Sequence, residues 1–309
     1  MKTAVIGAGA MGQLFGARLI AAGEDVVFFD VMDQTIDALN KDGIELIVDG
    51  DATHVQAKAA KSADYTDPVD FVLFFTKGFH TPGAIEGAKH LFHEQTIALT
   101  LQNGLGNGEL LVETFGPEHT LAGVTDYSAD RAGANAITTS SYGSIAMGDL
   151  VADGVNSDAA VAVHELFTRA GFNVELFDNV NIPIWEKLIL NTVLNTIGGA
   201  TGLTLGETNG TEPGRRLTEA VLAEALAVAH ARNVPVREDV IREHIAAVFA
   251  KSAGHKTSMT QDVEAGRRTE IDAIGGAVAS AGEEAGVPTP VLSALCDVVR
   301  ARTLPRSTQ

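Results

Sequence analysis

The 309-residue chain has a single cysteine, so it cannot form an intramolecular disulfide. A reduced, cytoplasmic location is therefore the simplest expectation. The chain also lacks any apolar run close to the roughly 20 residues that span a bilayer. Its N-terminus begins with a strand-like pattern and shows none of the layout of a signal peptide. Membrane and disulfide-stabilised secreted proteins are thus disfavoured.

Basic residues are also few. The 22 Lys and Arg face 40 Asp and Glu, which gives a formal net charge of −18. A chain of this charge repels nucleic acids and anionic lipid surfaces, so neither is expected as a partner. A salt-rich habitat would favour the same excess of acidic residues.

The chain is longer than the usual size of one hydrophobic core, so two domains are expected. An apolar content of 45% and 32 glycines suit a turn-rich α/β protein. Strand and helix patterns alternate up to about residue 178, and strand patterns then disappear. We therefore predict a doubly wound, parallel-sheet Rossmann domain at 1–178 and an all-helical domain at 179–309.

Particular elements follow from the same patterns. Strands are predicted at 2–7, 25–29, 71–76, 96–101 and 174–177, with a helix at 158–170. Short strands between 121 and 150 are expected to extend the main sheet in antiparallel fashion. The helices predicted for the second domain are 180–198, 215–232, 237–251, 269–286 and 289–302.

The first strand runs directly into a glycine-rich stretch, Gly7-Ala8-Gly9-Ala10-Met11-Gly12, which opens a helix. Glycines at this spacing allow a tight turn, close approach to a pyrophosphate and close packing of the helix on the strand. The free N–H groups and the positive dipole end of the helix favour phosphate. The stretch predicts a dinucleotide site contacted by Gly7, Gly9, Ala10, Met11 and Gly12.

Asp30 ends the second strand, where a carboxylate can accept hydrogen bonds from the adenosine ribose. The residues that follow, Val31-Met32-Asp33-Gln34, contain no Lys or Arg for a 2′-phosphate. A carboxylate would also repel that phosphate, so NAD is predicted in preference to NADP. The structural alternative is that Asp30 only caps a turn or a helix.

Two later strands end in a polar residue followed by glycine. Thr76-Lys77-Gly78 ends one strand, and Gln102-Asn103-Gly104 ends the next. Because ligands of doubly wound sheets bind at the carboxyl edge, Lys77 and Asn103 are candidate cofactor contacts. A solvent-exposed lysine and a simple turn are the alternatives.

A polar ladder stands out in an otherwise apolar helix of the second domain. Lys187, Asn191 and Asn195 are four residues apart each time and so lie on one helix face. Polar groups on a buried face need partners, which indicates a site. The alternatives are an exposed polar stripe, or a lysine that reaches the surface beside two amides at a helix end.

Together these motifs resemble the ketopantoate reductase family. The matching stretches are GAGAMG, TKG, QNGLG, WEKLILNTVLN and SMTQDVEAGRRTEID, which run in family order from residue 7 to residue 272. The resemblance implies a Rossmann domain and a helical domain with the active site in the cleft between them. It further implies a 2-oxo acid as substrate, reduced to a D-2-hydroxy acid by hydride from NAD(P)H, and no metal.

The resemblance also assigns residues. It implies that Lys187 is the catalytic lysine and that Glu270 is the active-site glutamate. Lys77 would lie near cofactor and substrate. The residues implied to hold the 2-oxo acid are Asn103, Asn191, Asn195 and Ser258. A homodimer is left as an open alternative to a monomer.

The chain departs from the family at the second strand, because NADPH-dependent members carry a basic residue near its end where this chain has Asp30. NAD-using relatives reduce other 2-oxo acids, so a D-2-hydroxyacid dehydrogenase of the D-mandelate dehydrogenase type is the main alternative to 2-dehydropantoate reduction. A β-hydroxyacid dehydrogenase is a further enzyme alternative, and a nucleotide-binding sensor is the non-enzyme alternative.

Overall fold

The computed structural model describes residues 1–151 and 156–303. The chain divides into two compact units. The first comprises Met1–Gln102 and Gly106–Val180, and the second comprises the chain from Asn181 onward together with the short segment Asn103–Leu105. The first unit is an α/β structure and the second is helical, so the predicted fold class is confirmed.

All strands of the described residues lie in the first unit. They are β1 (Lys2–Ile6), β2 (Asp25–Phe29), β3 (Ile44–Val48), β4 (Asp51–Val55), β5 (Lys58–Ala60), β6 (Phe71–Phe74), β7 (Ile97–Thr100), β8 (Thr120–Thr125), β9 (Ala129–Arg131), β10 (Ala136–Thr139), β11 (Ile145–Asp149) and β12 (Val174–Leu176). The α-helices of this unit are α1 (Ala10–Ala21), α2 (Asp33–Asp42), α3 (Thr81–Ala88), α4 (Asn107–Phe115) and α5 (Asp158–Arg169).

Eight strands form the main sheet, in the order β12-β11-β8-β7-β6-β1-β2-β5. The central strands are parallel. Alternate residues of β1 enter two different hydrophobic cores, Val5 on one face and Ala4 on the other. A strand buried on both faces explains why the apolar runs are continuous. The carboxyl ends of β1, β2 and β6 therefore share one edge of the sheet.

A second sheet, in the order β4-β3-β10-β9, was not predicted. The prediction that the strands between 121 and 150 extend the main sheet in antiparallel fashion is confirmed for β11, which is antiparallel to β8. It is wrong for the direction of β8, which is parallel to β7, and for β9 and β10, which are in the second sheet. The reason is that β3 offers a pairing edge, and β10 pairs with it in parallel. The partner of β3 in the hairpin, β4, gives little apolar signal, since nearly all of it is exposed.

The second unit is built around one long helix, α6 (Asn181–Thr201). The remaining helices are α7 (Leu205–Gly210), α8 (Glu212–Ala231), α9 (Glu238–Lys251), α10 (Ser258–Glu264), α11 (Gly275–Ala285) and α12 (Pro290–Thr303). Helices α8 to α12 all pack against α6. No helix among the described residues is long and apolar enough to cross a membrane.

The predicted start of α11 is wrong. The helix begins at Gly275 and not at Thr269, so Thr269 does not cap it and Glu270 and Asp272 are outside its first turn. A separate turn precedes the helix, because the N–H groups of Ala273 and Ile274 both donate to the Glu270 carbonyl. Asp272 instead pairs with Arg300, 2.8 Å away.

Candidate active site

The glycine-rich stretch forms a tight turn between β1 and α1. Gly7 has a φ of +99°, and its N–H donates to the Phe29 carbonyl. A Cβ at Gly12 would lie 2.0 Å from the Gly7 oxygen, so only glycine allows this packing. A Cβ at Gly9, in contrast, would meet no protein atom within 4 Å. The first helical N–H groups, beginning at Ala10, have no intrahelical acceptor.

Asp30 joins the end of β2 to this turn. Its Oδ2 accepts a hydrogen bond from Ala8 N at 2.8 Å, and its Oδ1 accepts one from Met32 N at 2.9 Å. A capping role for Asp30 would account for the hydrogen bond from Met32 N but not for the one from Ala8 N. Each carboxylate oxygen keeps capacity to accept from a ribose hydroxyl. The turn and the carboxylate together fit the pyrophosphate and ribose of a dinucleotide.

The second sheet also supports the glycine turn, a role that the sequence did not indicate. Gln13 is fully buried, and its Nε2 donates to the carbonyls of Ala8 (2.9 Å) and Ala134 (2.8 Å). Arg131 donates to the same Ala134 carbonyl and to Thr35 of α2. The turn between β9 and β10 thereby holds the glycine turn and the start of α2.

A basic residue near Asp30 was also missed. Lys61 follows β5, the edge strand beside β2, and its Nζ lies 2.7 Å from Asp33 Oδ1. The prediction considered only the residues directly after Asp30. The sequence did not indicate that Lys61 lies near Asp30, because β5 is only three residues long and was not predicted.

Lys77 is exposed just beyond the end of β6. Phe75 N donates to the Ile6 carbonyl at 2.8 Å, so the chain before Lys77 adjoins the end of β1. The neighbouring strand end is tied to this one by Gln102, whose Nε2 lies 2.6 Å from the Thr76 carbonyl. Lys77 thus lies at the same sheet edge as the glycine turn, and Gln102 is a positioning residue that the sequence did not single out.

The second unit joins four of the predicted residues in one chain of hydrogen bonds. Asn191 Nδ2 donates to Asn103 Oδ1 at 3.4 Å, and Asn195 Nδ2 donates to Asn191 Oδ1 at 3.3 Å. Ser258 Oγ donates to Asn195 Oδ1 at 3.4 Å. Asn195 is buried, Asn103 and Asn191 are half-buried, and Ser258 is exposed. Three distant segments of sequence therefore meet in one polar row, which we call the amide row.

Asn103 belongs to the second unit through its own short segment, unlike the other candidate cofactor residues. Leu105 N donates to the Ala273 carbonyl at 3.0 Å. A Cβ at Gly104 would lie 2.2 Å from that oxygen, so the close approach requires glycine. Ala273 N in turn bonds the Glu270 carbonyl. The turn that carries Glu270 is thus fixed beside the segment that carries Asn103.

Lys187 is half-buried on α6, one helical turn before Asn191. Its neighbour Glu186 is buried and accepts three hydrogen bonds from Arg237, from N (2.9 Å), Nε (2.8 Å) and Nη2 (2.7 Å). These bonds fasten this turn of α6 to the start of α9. Glu186 thereby helps to position Lys187. The sequence motif contains both residues but did not indicate this role for Glu186.

Family models identify the chain. The model described as "Ketopantoate reductase PanE/ApbA" matches residues 3–152, and "Ketopantoate reductase PanE/ApbA C terminal" matches residues 179–303. The chain belongs to the ketopantoate reductase family. A "2-dehydropantoate 2-reductase" of Streptococcus pyogenes is 31% identical over 305 residues, which cover 98% of each chain. The predicted family is confirmed, and with it the class of enzyme, an oxidoreductase.

Solved structures share the fold over almost the whole chain. D-mandelate dehydrogenase in complex with NADH and anilino(oxo)acetate has a TM-score of 0.91 at 26% identity, with 98% of each chain covered. A PanE/ApbA family ketopantoate reductase from Ralstonia eutropha has a TM-score of 0.90 at 27% identity, with the same coverage. The two neighbours represent both substrate alternatives that the sequence left open.

Proposed function

We propose that this protein reduces a 2-oxo acid to the D-2-hydroxy acid with hydride from a reduced nicotinamide dinucleotide, and that 2-dehydropantoate is the preferred substrate. The observation that carries the proposal is the amide row, in which Asn191 and Asn195 of the helix that bears Lys187 are hydrogen-bonded to Asn103 and Ser258. Neutral amides and a hydroxyl can orient carboxylate and hydroxyl groups of a substrate without competing with the charge of Lys187.

The reaction places negative charge on the C2 oxygen of the substrate. A bound reduced nicotinamide dinucleotide would supply the hydride. The Lys187 ammonium stabilises the charge that develops on the C2 oxygen and donates the proton. Glu270 positions the ammonium or a substrate hydroxyl, and Lys77 lies near cofactor and substrate. Asn103, at the end of the amide row, contacts the substrate and the cofactor.

NAD is the proposed cofactor in preference to NADP. Asp30 supports it, because the carboxylate is fixed by Ala8 and Met32 where the ribose hydroxyls would bind. A 2′-phosphate at this position would meet a negative charge. The glycine turn of Gly7, Gly9, Ala10, Met11 and Gly12 would hold the pyrophosphate.

A second candidate is a D-2-hydroxyacid dehydrogenase that acts on branched or aromatic 2-oxo acids. Asp30 and the TM-score of 0.91 to the NADH complex of D-mandelate dehydrogenase favour it. The family membership and the 31% identical relative favour 2-dehydropantoate. A cytoplasmic location and a homodimer remain predictions.

The loss of NADH absorbance with a panel of 2-oxo acids tests the proposal. The panel contains 2-dehydropantoate, 2-oxoisovalerate and phenylglyoxylate. The highest kcat/KM for 2-dehydropantoate supports the proposed function, and the highest value for either of the others supports the second candidate. An enzyme that turns over none of them would leave a nucleotide-binding sensor as the better account.

A further inference from the structure

Lys61 lies beside Asp30 although the two are far apart in sequence. Strands β2 and β5 are parallel, with Phe29 paired to Ala60, and Asp30 N donates to the Ala60 carbonyl at 3.3 Å. Asp30 directly follows β2, and Lys61 directly follows β5. Because paired strands are roughly 4.8 Å apart, Lys61 projects from the chain next to the proposed ribose position.

Asp33 holds the Lys61 ammonium, with 2.7 Å between Lys61 Nζ and Asp33 Oδ1. The hydrogen bond to Asp33, followed by the charges of Asp33, Asp64 and Asp37, raises the pKa of Lys61. A single lysine is therefore surrounded by several carboxylates. Asp33 is the first residue of α2, three residues after Asp30.

A 2′-phosphate needs a cation within hydrogen-bonding reach and tolerates nearby carboxylates poorly. Lys61 has the charge and the position needed to bind a 2′-phosphate, but its ammonium is paired with Asp33. We propose that Asp33 is a specificity-determining residue, and that it keeps this enzyme selective for NAD by holding Lys61 away from a 2′-phosphate. The inference rests on the proposed function only in taking the nucleotide to be a nicotinamide dinucleotide.

The test measures dissociation constants of NADH and NADPH by fluorescence titration, without any 2-oxo acid. The variants are Asp33→Asn and the double variant Asp33→Asn/Lys61→Met. Asp25→Asn is the matched control, since it breaks the Lys58–Asp25 pair (3.2 Å) between the same two strands at their opposite ends. Thermal melts of all variants establish that each is folded.

Asp33→Asn is expected to tighten NADPH binding about tenfold or more and to change NADH binding less than about threefold, because the freed ammonium meets only the 2′-phosphate. The double variant should lose this gain, and Asp25→Asn should bind both nucleotides like the unaltered protein.

An unchanged NADPH constant in folded Asp33→Asn would overturn the inference. So would a gain that persists in the double variant, which would show simple repulsion by Asp33, or an equal gain in Asp25→Asn. Each of these results leaves the proposed function intact. Conversely, failure to reduce any 2-oxo acid would overturn the proposed function without affecting the binding result. Failure of the unaltered protein to bind either nucleotide would overturn both.

Discussion

Asn195 donates a hydrogen bond to Asn191 at 3.3 Å, and the two amides lie one turn apart on α6. The Oδ1 of Asn195 accepts from Ser258 Oγ and from Met259 N, both at 3.4 Å. An amide nitrogen carries two N–H groups. Asn195 therefore uses one of its two N–H groups for Asn191, and its oxygen holds the start of α10. The proposed function assigns the other N–H group to the substrate.

Asn195→Ala should narrow the preference for 2-dehydropantoate over 2-oxoisovalerate, which lacks the hydroxyl group. An unpaired buried polar group costs about 1–3 kcal/mol, so the unaltered protein should favour the hydroxylated substrate by up to roughly a hundredfold. The ratio of the two kcat/KM values measures the effect. A variant that slows both substrates equally would show that Asn195 serves only to position α10, and a melting curve separates general destabilisation from either result.

Lys187→Ala should lower kcat about 10²–10⁴-fold, because the charge interaction of the ammonium grows as the alkoxide forms. Steady-state kinetics with saturating NADH measure it. KM for the 2-oxo acid should change far less than kcat. If the variant retained most of its kcat and lost substrate affinity instead, Lys187 would be a binding residue and not the proton donor.

Arg237→Met should destabilise the second unit by about 1–3 kcal/mol, since it removes two of the three hydrogen bonds on the buried Glu186 carboxylate. The Arg237 backbone N–H would still donate to it. Urea denaturation measures the free energy of unfolding. Arg216→Met is a suitable control, because the Arg216–Glu212 pair is exposed at both partners and should contribute little. Equal effects of the two variants would contradict the account.

Cys296 should be unreactive in the folded protein. Its side chain is buried in the hydrophobic core of the second unit, and burial raises the pKa of the thiol from 9.0 to about 11. The folded state therefore holds its proton more tightly than the unfolded state, so this contribution to stability is present below pH 9 and is lost as the pH rises towards 11. A thiol reagent should label the protein only in denaturant. Denaturation at pH 8 and pH 10.5 should show a smaller loss of stability for Cys296→Ala than for the unaltered chain.

The sequence was informative where one segment carries the whole signal. The glycine turn and the spacing of Lys187, Asn191 and Asn195 each lie in one short segment, and the structure places them in a strand–turn–helix unit and on one helix. Local periodicity is enough for such features, because a helix face is set by spacing alone.

The sequence was uninformative where distant segments meet. Lys61 lies beside Asp30 only because β5 pairs with β2, and Arg131 reaches α2 only because β9 belongs to a second sheet. Asn103 joins the second unit through contacts to a turn that precedes α11. Short, exposed strands leave no periodic signal, so these neighbours could not be inferred from spacing.

The comparison of NADH and NADPH in the reduction of 2-dehydropantoate tests the central claim most directly. The reaction depends on the amide row and Lys187, and the preference between the two nucleotides depends on Asp30. Initial rates over a range of each nucleotide, followed by absorbance at saturating 2-dehydropantoate, give the two kcat/KM values. The account predicts rapid oxidation of NADH with a kcat/KM at least about tenfold above that for NADPH, roughly 1.4 kcal/mol in favour of the unphosphorylated ribose. Equal or better efficiency with NADPH, or no oxidation with either nucleotide, would contradict it.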